Sequence, residues 1–366
     1  MTEGRRTPLH AAQVRLKARF VTFAGYEMPI QFSSIREEHQ AVRERAGLFD
    51  VSHMGQLHFS GSGACATLEK LLTCEVDSLA IHRARYGLLL NQDGGCVDDV
   101  MLTRLGDQAY FLCVNASNIE KVHTWIKPHA GTAVRIEDRS EQTALLALQG
   151  PVAETVLSEL TTSAATLPRR FRVAPMEIAG VPVLVSATGY TGAPGFELYI
   201  SADEAENVFE AILKIGANFG VLPAGLGARD TLRIEAALPL YGHELDDTTT
   251  PFEAGLDRFV KPLARDFIGA SALTSKADEK NSRCLVGFEM CGRGIARAGY
   301  PMIHDGRIIG HVTSGAPSPT LGKSIGLGYV PPAQSRIGQP LAVRIRDKDV
   351  EARVVERPFL SAAPKK

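Results

Sequence analysis

The sequence changes character near Lys280. From Cys284 to Phe359 the apolar runs are short, and turn signals such as Asp305-Gly306 and Pro331-Pro332 separate them. Turns at this spacing, without an amphipathic helix between them, are typical of a small β-sandwich or β-barrel. Polar residues from Ala277 to Ser282 predict a linker in front of it. The sequence therefore predicts an all-β domain at its C-terminal end.

Helices and strands intermingle before Lys280. Capping boxes predict helices from Ser34, Ser117 and Ser201, and a proline in a first turn predicts one from Pro151. Further helices are predicted at 226–237 and 269–280. Apolar runs bounded by turn residues predict strands at 100–104, 108–115, 144–148, 181–187 and 196–200, with a hairpin turn at Gly106-Asp107. Because the order lacks a regular βαβ rhythm, it favours an α+β fold over a doubly wound sheet.

The chain length limits the number of domains, and the net charge disfavours several classes of protein. A chain of 366 residues allows about two to three domains. Lys and Arg number 40 against 41 Asp and Glu, which disfavours a general nucleic-acid binder and a polybasic membrane-surface protein. Apolar runs stay far below the ~20 residues that span a bilayer. The N-terminus lacks the apolar core of a secretory signal, so a cytoplasmic location is expected.

Several common motifs are missing or incomplete. The six cysteines form no C-x-x-C pair, which disfavours a zinc ribbon or a redox dithiol. Gly322-Lys323-Ser324 resembles the end of a P-loop, but Pro317 stands where the first glycine is required. There is no complete dinucleotide fingerprint, no H-E-x-x-H and no G-x-S-x-G. No metal site is predicted.

Three groups of polar residues lie in apolar surroundings. Asp98 and Asp99 begin a predicted strand, so their side chains should point to opposite faces. Glu197 alternates with two apolar residues and should occupy the other face of its strand. Arg229 and Arg233 share one helix face. Spacing alone favours a solvated acid pair, a solvated strand face and surface ion pairs as explanations of these patterns, and it leaves the function open.

These residues lie in longer, distinctive strings. The strings are "RTPLH" from Arg6, "FAGYEMPIQF" from Phe23, "GLFDVSHMG" from Gly47, "GGCVDD" from Gly94, "ALQGP" from Ala147, "GYTGAPGFEL" from Gly189, "GLGARDTLRIEAALPLYGHELD" from Gly225, "TTPFEAGLDRFVK" from Thr249 and "TSGAPSPTLGKSIGLGYV" from Thr313. Together they resemble the aminomethyltransferase (T-protein) family of the glycine cleavage system, and the match runs in order from Arg6 to Phe359.

The resemblance implies a tetrahydrofolate-dependent transferase without a metal. Such an enzyme moves the methylene carbon of an aminomethyl group from the lipoyl arm of the H-protein to tetrahydrofolate and releases ammonia. The implied fold is a three-lobed cloverleaf with folate in the middle. The lobes are residues 1–50 with 150–255 for folate binding, 51–149 with 256–280 packing nearby, and 281–366 as the all-β lobe. Because the match begins at Arg6, without room for a transit peptide, a bacterial-type cytosol is expected.

The resemblance also implies roles for single residues. Asp99 matches the catalytic carboxylate, which steers a proton off the nucleophilic amine and stabilises a cationic iminium as ammonia departs. Glu197 matches the acceptor of the pterin 2-amino group and the adjacent ring N–H. The other matched positions line the folate pocket in the family. They are Asn115, Tyr86, Tyr190, Met54 and Arg229, and the last of them matches a binding arginine.

The sequence departs from the family pattern at two places. Ala193-Pro194 stand where an acid is common, and Asp257-Arg258 replace a tryptophan that packs at the folate site. Arg258 is then a candidate for the folate glutamate carboxylate, and Arg297 a candidate partner of Asp99. The basic residues between Arg5 and Arg19 form either a steering surface for an acidic carrier or a solvated face.

Two alternatives remain open from the sequence. The same scaffold could demethylate a small methylated amine or sulfonium compound with tetrahydrofolate. It could also bind folate as an accessory protein without transferase activity. Accessory relatives of the fold have a K-G-C-Y-x-G-Q-E-type string, which is absent here, whereas "GGCVDD" is present.

Overall fold

The computed structural model of the chain describes residues 4–161, 166–277 and 282–360. The helices are α1 (His10–Arg15), α2 (Ile35–Glu44), α3 (Ala64–Leu71), α4 (Ile119–Ile126), α5 (Ala153–Leu160), α6 (Ala205–Gly216), α7 (Leu226–Glu235) and α8 (Ala270–Ala277). The strands before residue 278 are β1 (Arg19–Phe23), β2 (Tyr26–Gln31), β3 (Gly47–Asp50), β4 (Gly55–Ser60), β5 (Arg83–Leu90), β6 (Cys96–Gly106), β7 (Ala109–Val114), β8 (Arg135–Asp138), β9 (Thr143–Gln149), β10 (Val173–Ile178), β11 (Val181–Ser186), β12 (Gly195–Ser201) and β13 (Leu222–Ala224). The later strands are β14 (Cys284–Met290), β15 (Pro301–His304), β16 (Arg307–Ser318), β17 (Lys323–Val330), β18 (Pro340–Ile345) and β19 (Lys348–Val355).

The chain divides into two compact units. One contains the residues up to Leu88 together with Asp98–Arg229, and the other contains Leu89–Val97 together with the residues from Asp230 onward. None of the helices in the described part of the chain is both long and apolar enough to cross a bilayer.

A six-stranded sheet organises part of the first unit in the order β10-β11-β12-β9-β3-β13. Its neighbours pair antiparallel except β3 and β13, which run parallel. Apolar side chains on one face pack with α5 and α6 in a core that includes Leu148, Leu198, Val156 and Phe209. Because side chains alternate along a strand, this core directs Glu197 to the opposite face.

A second sheet has the order β5-β6-β7-β4-β8. The predicted hairpin is confirmed as β6–β7, but its turn is Asp107-Gln108, because Gly106 is still the last residue of β6 and pairs with Ala109. Its register pairs Met101 with Cys113 and shifts between Arg104 and Gly106. Continued by two residues, this register sets Asp99 opposite Asn115.

The predicted C-terminal β domain is confirmed. Strands β14 to β19 form a closed antiparallel barrel in the order β14-β17-β16-β15-β18-β19, which closes where β14 pairs with β19. Its interior holds apolar side chains such as Phe288, Val312 and Val343. Most of the predicted linker at 277–282, and the predicted end of α8 near Lys280, lie outside the described residues.

Only one of the three predicted capping boxes caps its helix. Ser34 accepts the backbone N–H of Glu37 at 3.2 Å. Short 3-10 turns replace the other two, so α4 and α6 begin after Asn118 and Glu204, neither of which makes a side-chain cap bond. Asn118 instead donates its side-chain amide to Asp98, which explains why the box at Ser117 is wrong.

Replacing Ser34 by Ala should destabilise the chain by about 1 kcal/mol, since α2 loses its N-cap acceptor. Urea unfolding followed by circular dichroism measures this loss. Ser158→Ala is the matched control, because Ser158 is exposed within α5 and its hydroxyl donates to Glu154 O inside the helix. Alanine is the better helix former there. Equal unfolding midpoints for the two variants would contradict the assigned cap.

Candidate active site

A pair of carboxylates lies at the start of β6. The Asp98 side chain is fully buried, whereas Asp99 is half-buried. This difference confirms that the two side chains point to opposite faces of the strand. It also excludes a solvated acid pair.

The Asn115 amide bridges the two carboxylates. Its Nδ2 atom donates to Asp98 Oδ1 at 2.8 Å, to Asp99 Oδ1 at 2.9 Å and to Asp99 O at 3.1 Å. The Tyr86 hydroxyl donates to the second oxygen, Asp99 Oδ2, at 3.0 Å. Three residues predicted for the site are therefore brought together, and both oxygens of Asp99 are held in place.

Asp98 accepts three hydrogen bonds in the interior. Besides Asn115 Nδ2, the donors are the Asn115 backbone N–H at 3.1 Å and Asn118 Nδ2 at 2.7 Å. Burial, and then the charge of Asp99, raise the pKa of Asp98 to about 7, against the opposing effect of the three donors. Every donor needs a lone pair, so the form that satisfies all of them is the carboxylate.

Glu197 lies on a covered face of β12. Tyr199, two residues further along the same face, packs edge-on against Phe111 with ring centroids 4.9 Å apart. Thr188 donates its hydroxyl to Glu197 Oε2. In the part of the chain that the structure describes, no donor reaches Glu197 Oε1. The half-buried carboxylate thus keeps one oxygen available to a ligand.

Arg229 and Tyr190 form a cation–π pair. The guanidinium carbon lies 4.7 Å from the centroid of the Tyr190 ring. Burial, and then the charge of Arg229, lower the pKa of His53 to about 3, so that imidazole is neutral. Met54 follows His53 directly and is half-buried. One group of site residues therefore contains Arg229, Tyr190 and the segment with Met54.

Cys113 connects the two groups. Burial, and then the charge of Glu197, raise the pKa of this thiol to about 12, while hydrogen bonds and the charge of Arg229 oppose the rise. Both charged side chains therefore act on Cys113, which lies two residues before Asn115 and on the same face of the chain. The Glu197 carboxylate is therefore close enough to β7 to act on the residue two positions before Asn115.

Some residues of the site were not predicted. Asp98 was noted only as one of a pair, and Asn118, Thr188, His53 and Cys113 were not assigned to the site. The burial of Asp98 was readable from the alternation of β6. The roles of Thr188 and Cys113 depend on which strands face each other, which no local pattern encodes. Across residues 4–161, 166–277 and 282–360, no group of three or more His, Cys, Asp or Glu side chains is arranged to hold a metal ion.

The basic N-terminal stretch is largely neutralised within the chain. Arg5 pairs with Glu141, Arg6 with Glu27, and Arg15 with Glu206 and Glu210. These ion pairs favour the solvated face over the steering surface.

Arg258 and Arg297 belong to the second unit. The Arg258 guanidinium lies over the Phe259 ring, with its carbon 4.6 Å from the centroid. Arg297 donates to the backbone carbonyl of Gly315 at 3.5 Å.

The fold and the site define a class, and comparisons with known proteins narrow it to a family. The family model "GCVT N-terminal domain" matches residues 9–263, and the model "Glycine cleavage T-protein C-terminal barrel domain" matches residues 283–360. An aminomethyltransferase of Geobacillus kaustophilus (strain HTA426) is 50% identical over 361 residues, which cover 98% of this chain and 99% of that protein. One of Bacillus subtilis (strain 168) is 44% identical over 357 residues, covering 97% and 99%.

A solved structure agrees with these matches. The crystal structure of glycine cleavage system aminomethyltransferase T from Bartonella henselae superimposes with a TM-score of 0.91 at 32% identity, covering 97% of this chain and 98% of that one. The α+β region followed by a β-barrel is thus the scaffold of a transferase. The chain belongs to the glycine cleavage T-protein family, and its activity is that of an aminomethyltransferase. The predicted family, fold class and enzyme class are confirmed.

Proposed function

We propose that this aminomethyltransferase takes its aminomethyl group from the lipoyl arm of an H-protein and passes the methylene carbon to tetrahydrofolate, with release of ammonia. The observation that supports this most directly is the pair of half-buried carboxylates, Glu197 on β12 and Asp99 on β6, in two sheets that meet where Tyr199 packs against Phe111. Glu197 has an oxygen open to a ligand, whereas Asp99 has both oxygens held by hydrogen bonds. Glu197 is therefore suited to binding the substrate, and Asp99 is suited to the chemical step.

Glu197 is the proposed acceptor for the reduced pterin ring. The ring presents a 2-amino group beside a ring N–H, and one carboxylate can accept both. Glu197 Oε1 is open, and the Thr188 hydroxyl fixes Oε2. Such a charged pair is stronger than a neutral hydrogen bond, particularly on a face that Tyr199 and Phe111 shield.

Asp99 is the proposed catalytic carboxylate. The methylene carbon is bonded to the carrier sulfur and to the amino group, so its transfer breaks one C–S and one C–N bond and forms two C–N bonds to folate nitrogens. One of the two folate N–H protons leaves with ammonia and the other with the lipoyl thiol. An anion beside these atoms guides the proton away and stabilises the cationic iminium. The bonds from Tyr86 and Asn115 hold the carboxylate in one orientation, so little reorganisation is needed during the reaction.

The remaining assignments follow from the same geometry. Tyr190, Arg229 and Met54 are proposed to line the folate pocket, because Arg229 acts electrostatically on both His53 and Cys113 beside the carboxylates. We propose a cytoplasmic enzyme that forms transient complexes with its carrier.

We also propose a division into three lobes. The first contains residues 1–50 and 150–255, the second contains residues 51–149 with 256–280 packing nearby, and the third contains residues 281–366. The barrel strands lie in the last range. Strand β9 is better grouped with the first lobe, since it pairs with both β3 and β12.

The test is a reaction with defined components. The purified chain, an aminomethyl-loaded H-protein and tetrahydrofolate should yield ammonia and methylenetetrahydrofolate in equal amounts. Leaving out the carrier or the folate should stop both products. Turnover of a small methylated amine without the carrier would favour a demethylase instead. Folate binding without ammonia release would favour an accessory protein.

A further inference from the structure

Asp98 has no part in the reaction proposed above, although it is the more deeply buried of the two acids. Burying a carboxylate is costly unless hydrogen bonds compensate for the lost water. Three donors compensate here, and two of them belong to Asn115. Asn115 is also the residue that donates to Asp99 Oδ1.

We propose that Asp98 is a positioning residue for the transfer reaction, which fixes the Asn115 amide so that this amide orients Asp99. The inference rests on the proposed role of Asp99 as the reacting carboxylate. Asp98 itself touches no substrate, because its side chain is fully buried.

Asp98 holds both the backbone and the side-chain amide of Asn115. Its Oδ2 atom accepts the Asn115 backbone N–H, and its Oδ1 atom accepts the side-chain amide. These two bonds fix the backbone and the amide together. Asn118 Nδ2 holds Oδ1 from a further position, which prevents the carboxylate from rotating. The amide orientation at Asp99 is therefore set from the buried side.

An amide at position 98 cannot do the same. In Asp98→Asn, one carboxylate oxygen becomes an NH2 donor, which faces either the Asn115 N–H or the two side-chain amides. Two hydrogen-bond donors then face each other without an acceptor between them, so one of the two groups has to move away. The variant is nearly isosteric, so packing changes little while the Asn115 amide loses its fixed position.

The expected effect is on chemistry more than on binding. A misplacement of about 1 Å at a reacting group costs about 100-fold in rate. Asp98→Asn should therefore lower kcat by about 30- to 100-fold, whereas KM for tetrahydrofolate should stay within about twofold, since Glu197 is untouched. Steady-state kinetics with the loaded carrier measures both. An unchanged kcat would overturn the proposal.

A double-mutant cycle tests the route through Asn115. If Asp98 acts through this amide, adding Asp98→Asn to Asn115→Ala should lower kcat by less than about threefold further. Independent, multiplicative losses would overturn the positioning role. They would leave the proposed function intact as long as Asp99→Asn abolishes turnover. If Asp99→Asn keeps full turnover, the proposed function itself fails.

Two further variants guard against a purely structural effect. Glu235→Gln is the matched control, because Glu235 is a buried carboxylate that accepts from Ser318 and Thr320 in the second unit. It should lower the unfolding temperature but leave kcat within about twofold. If Asp98→Asn does not fold, Asn118→Ala removes one anchor of the same carboxylate and should lower kcat by about fivefold. A wild-type kcat in Asn118→Ala would then count against the proposal.

Discussion

Asp99→Asn is expected to lower kcat by at least about 100-fold, while the dissociation constant for tetrahydrofolate changes by less than about threefold. The amide is nearly isosteric and can still accept from Tyr86 or Asn115. It has no negative charge with which to draw a proton from the folate amine or to stabilise the iminium. Single-turnover ammonia release measures the chemical step, and fluorescence titration measures folate binding.

The control for Asp99→Asn lies on the same hairpin. Asp107 is exposed in the turn after β6, so Asp107→Asn changes the net charge equally but far along the strand from the carboxylate pair. It should keep wild-type turnover. Full turnover in Asp99→Asn would remove Asp99 from the chemistry, and a matching loss in Asp107→Asn would point to a general charge effect.

Local sequence rules predicted only some elements of the fold, because those rules act over a few residues, and strands such as β3, β4 and β5 were not predicted. The alternation around Glu197 and the hairpin between β6 and β7 each depend on nearest neighbours, and both are present, the turn lying one residue beyond its predicted place. The boxes at Ser117 and Ser201 have the same local pattern as Ser34, yet tertiary contacts override them. Asn118 bonds to Asp98, and the Ala202 backbone bonds to Gln142 O. Helix starts are therefore less predictable where a cap residue has a distant partner.

The contacts that join the site residues were less predictable from the sequence than the residues themselves. Asp99 and Asn115 meet because the β6–β7 register sets them opposite each other, and that register includes a shift between Arg104 and Gly106. A change of one residue would turn every side chain of one strand to the other face. The turn signal locates the hairpin but does not reveal the shift. The bridge from Asp98 through Asn115 to Asp99 thus needed the structure, although each residue was visible in the sequence.

Glu197→Gln should show the opposite kinetic signature to Asp99→Asn. Hydrogen bonds to a charged group contribute about 1.5–3 kcal/mol, so KM for tetrahydrofolate should rise by about 10- to 100-fold. The kcat at saturating folate should fall by less than about fivefold, because Asp99 and its network are intact. Gln also presents an NH2 donor to a ring edge that offers only donors, which adds to the loss. Initial rates over a wide range of folate concentration separate the two constants.

Thr188→Val refines this test, because it leaves the carboxylate in place and removes the hydroxyl that holds Glu197 Oε2. KM should rise by about threefold to tenfold, the value of one hydrogen bond of about 1 kcal/mol. In the double variant with Glu197→Gln, the valine should add little, since the two side chains act as one acceptor. A KM for Glu197→Gln within twofold of wild type would show that the pterin ring binds elsewhere. A fall in kcat with unchanged KM would move Glu197 from recognition to the chemical step.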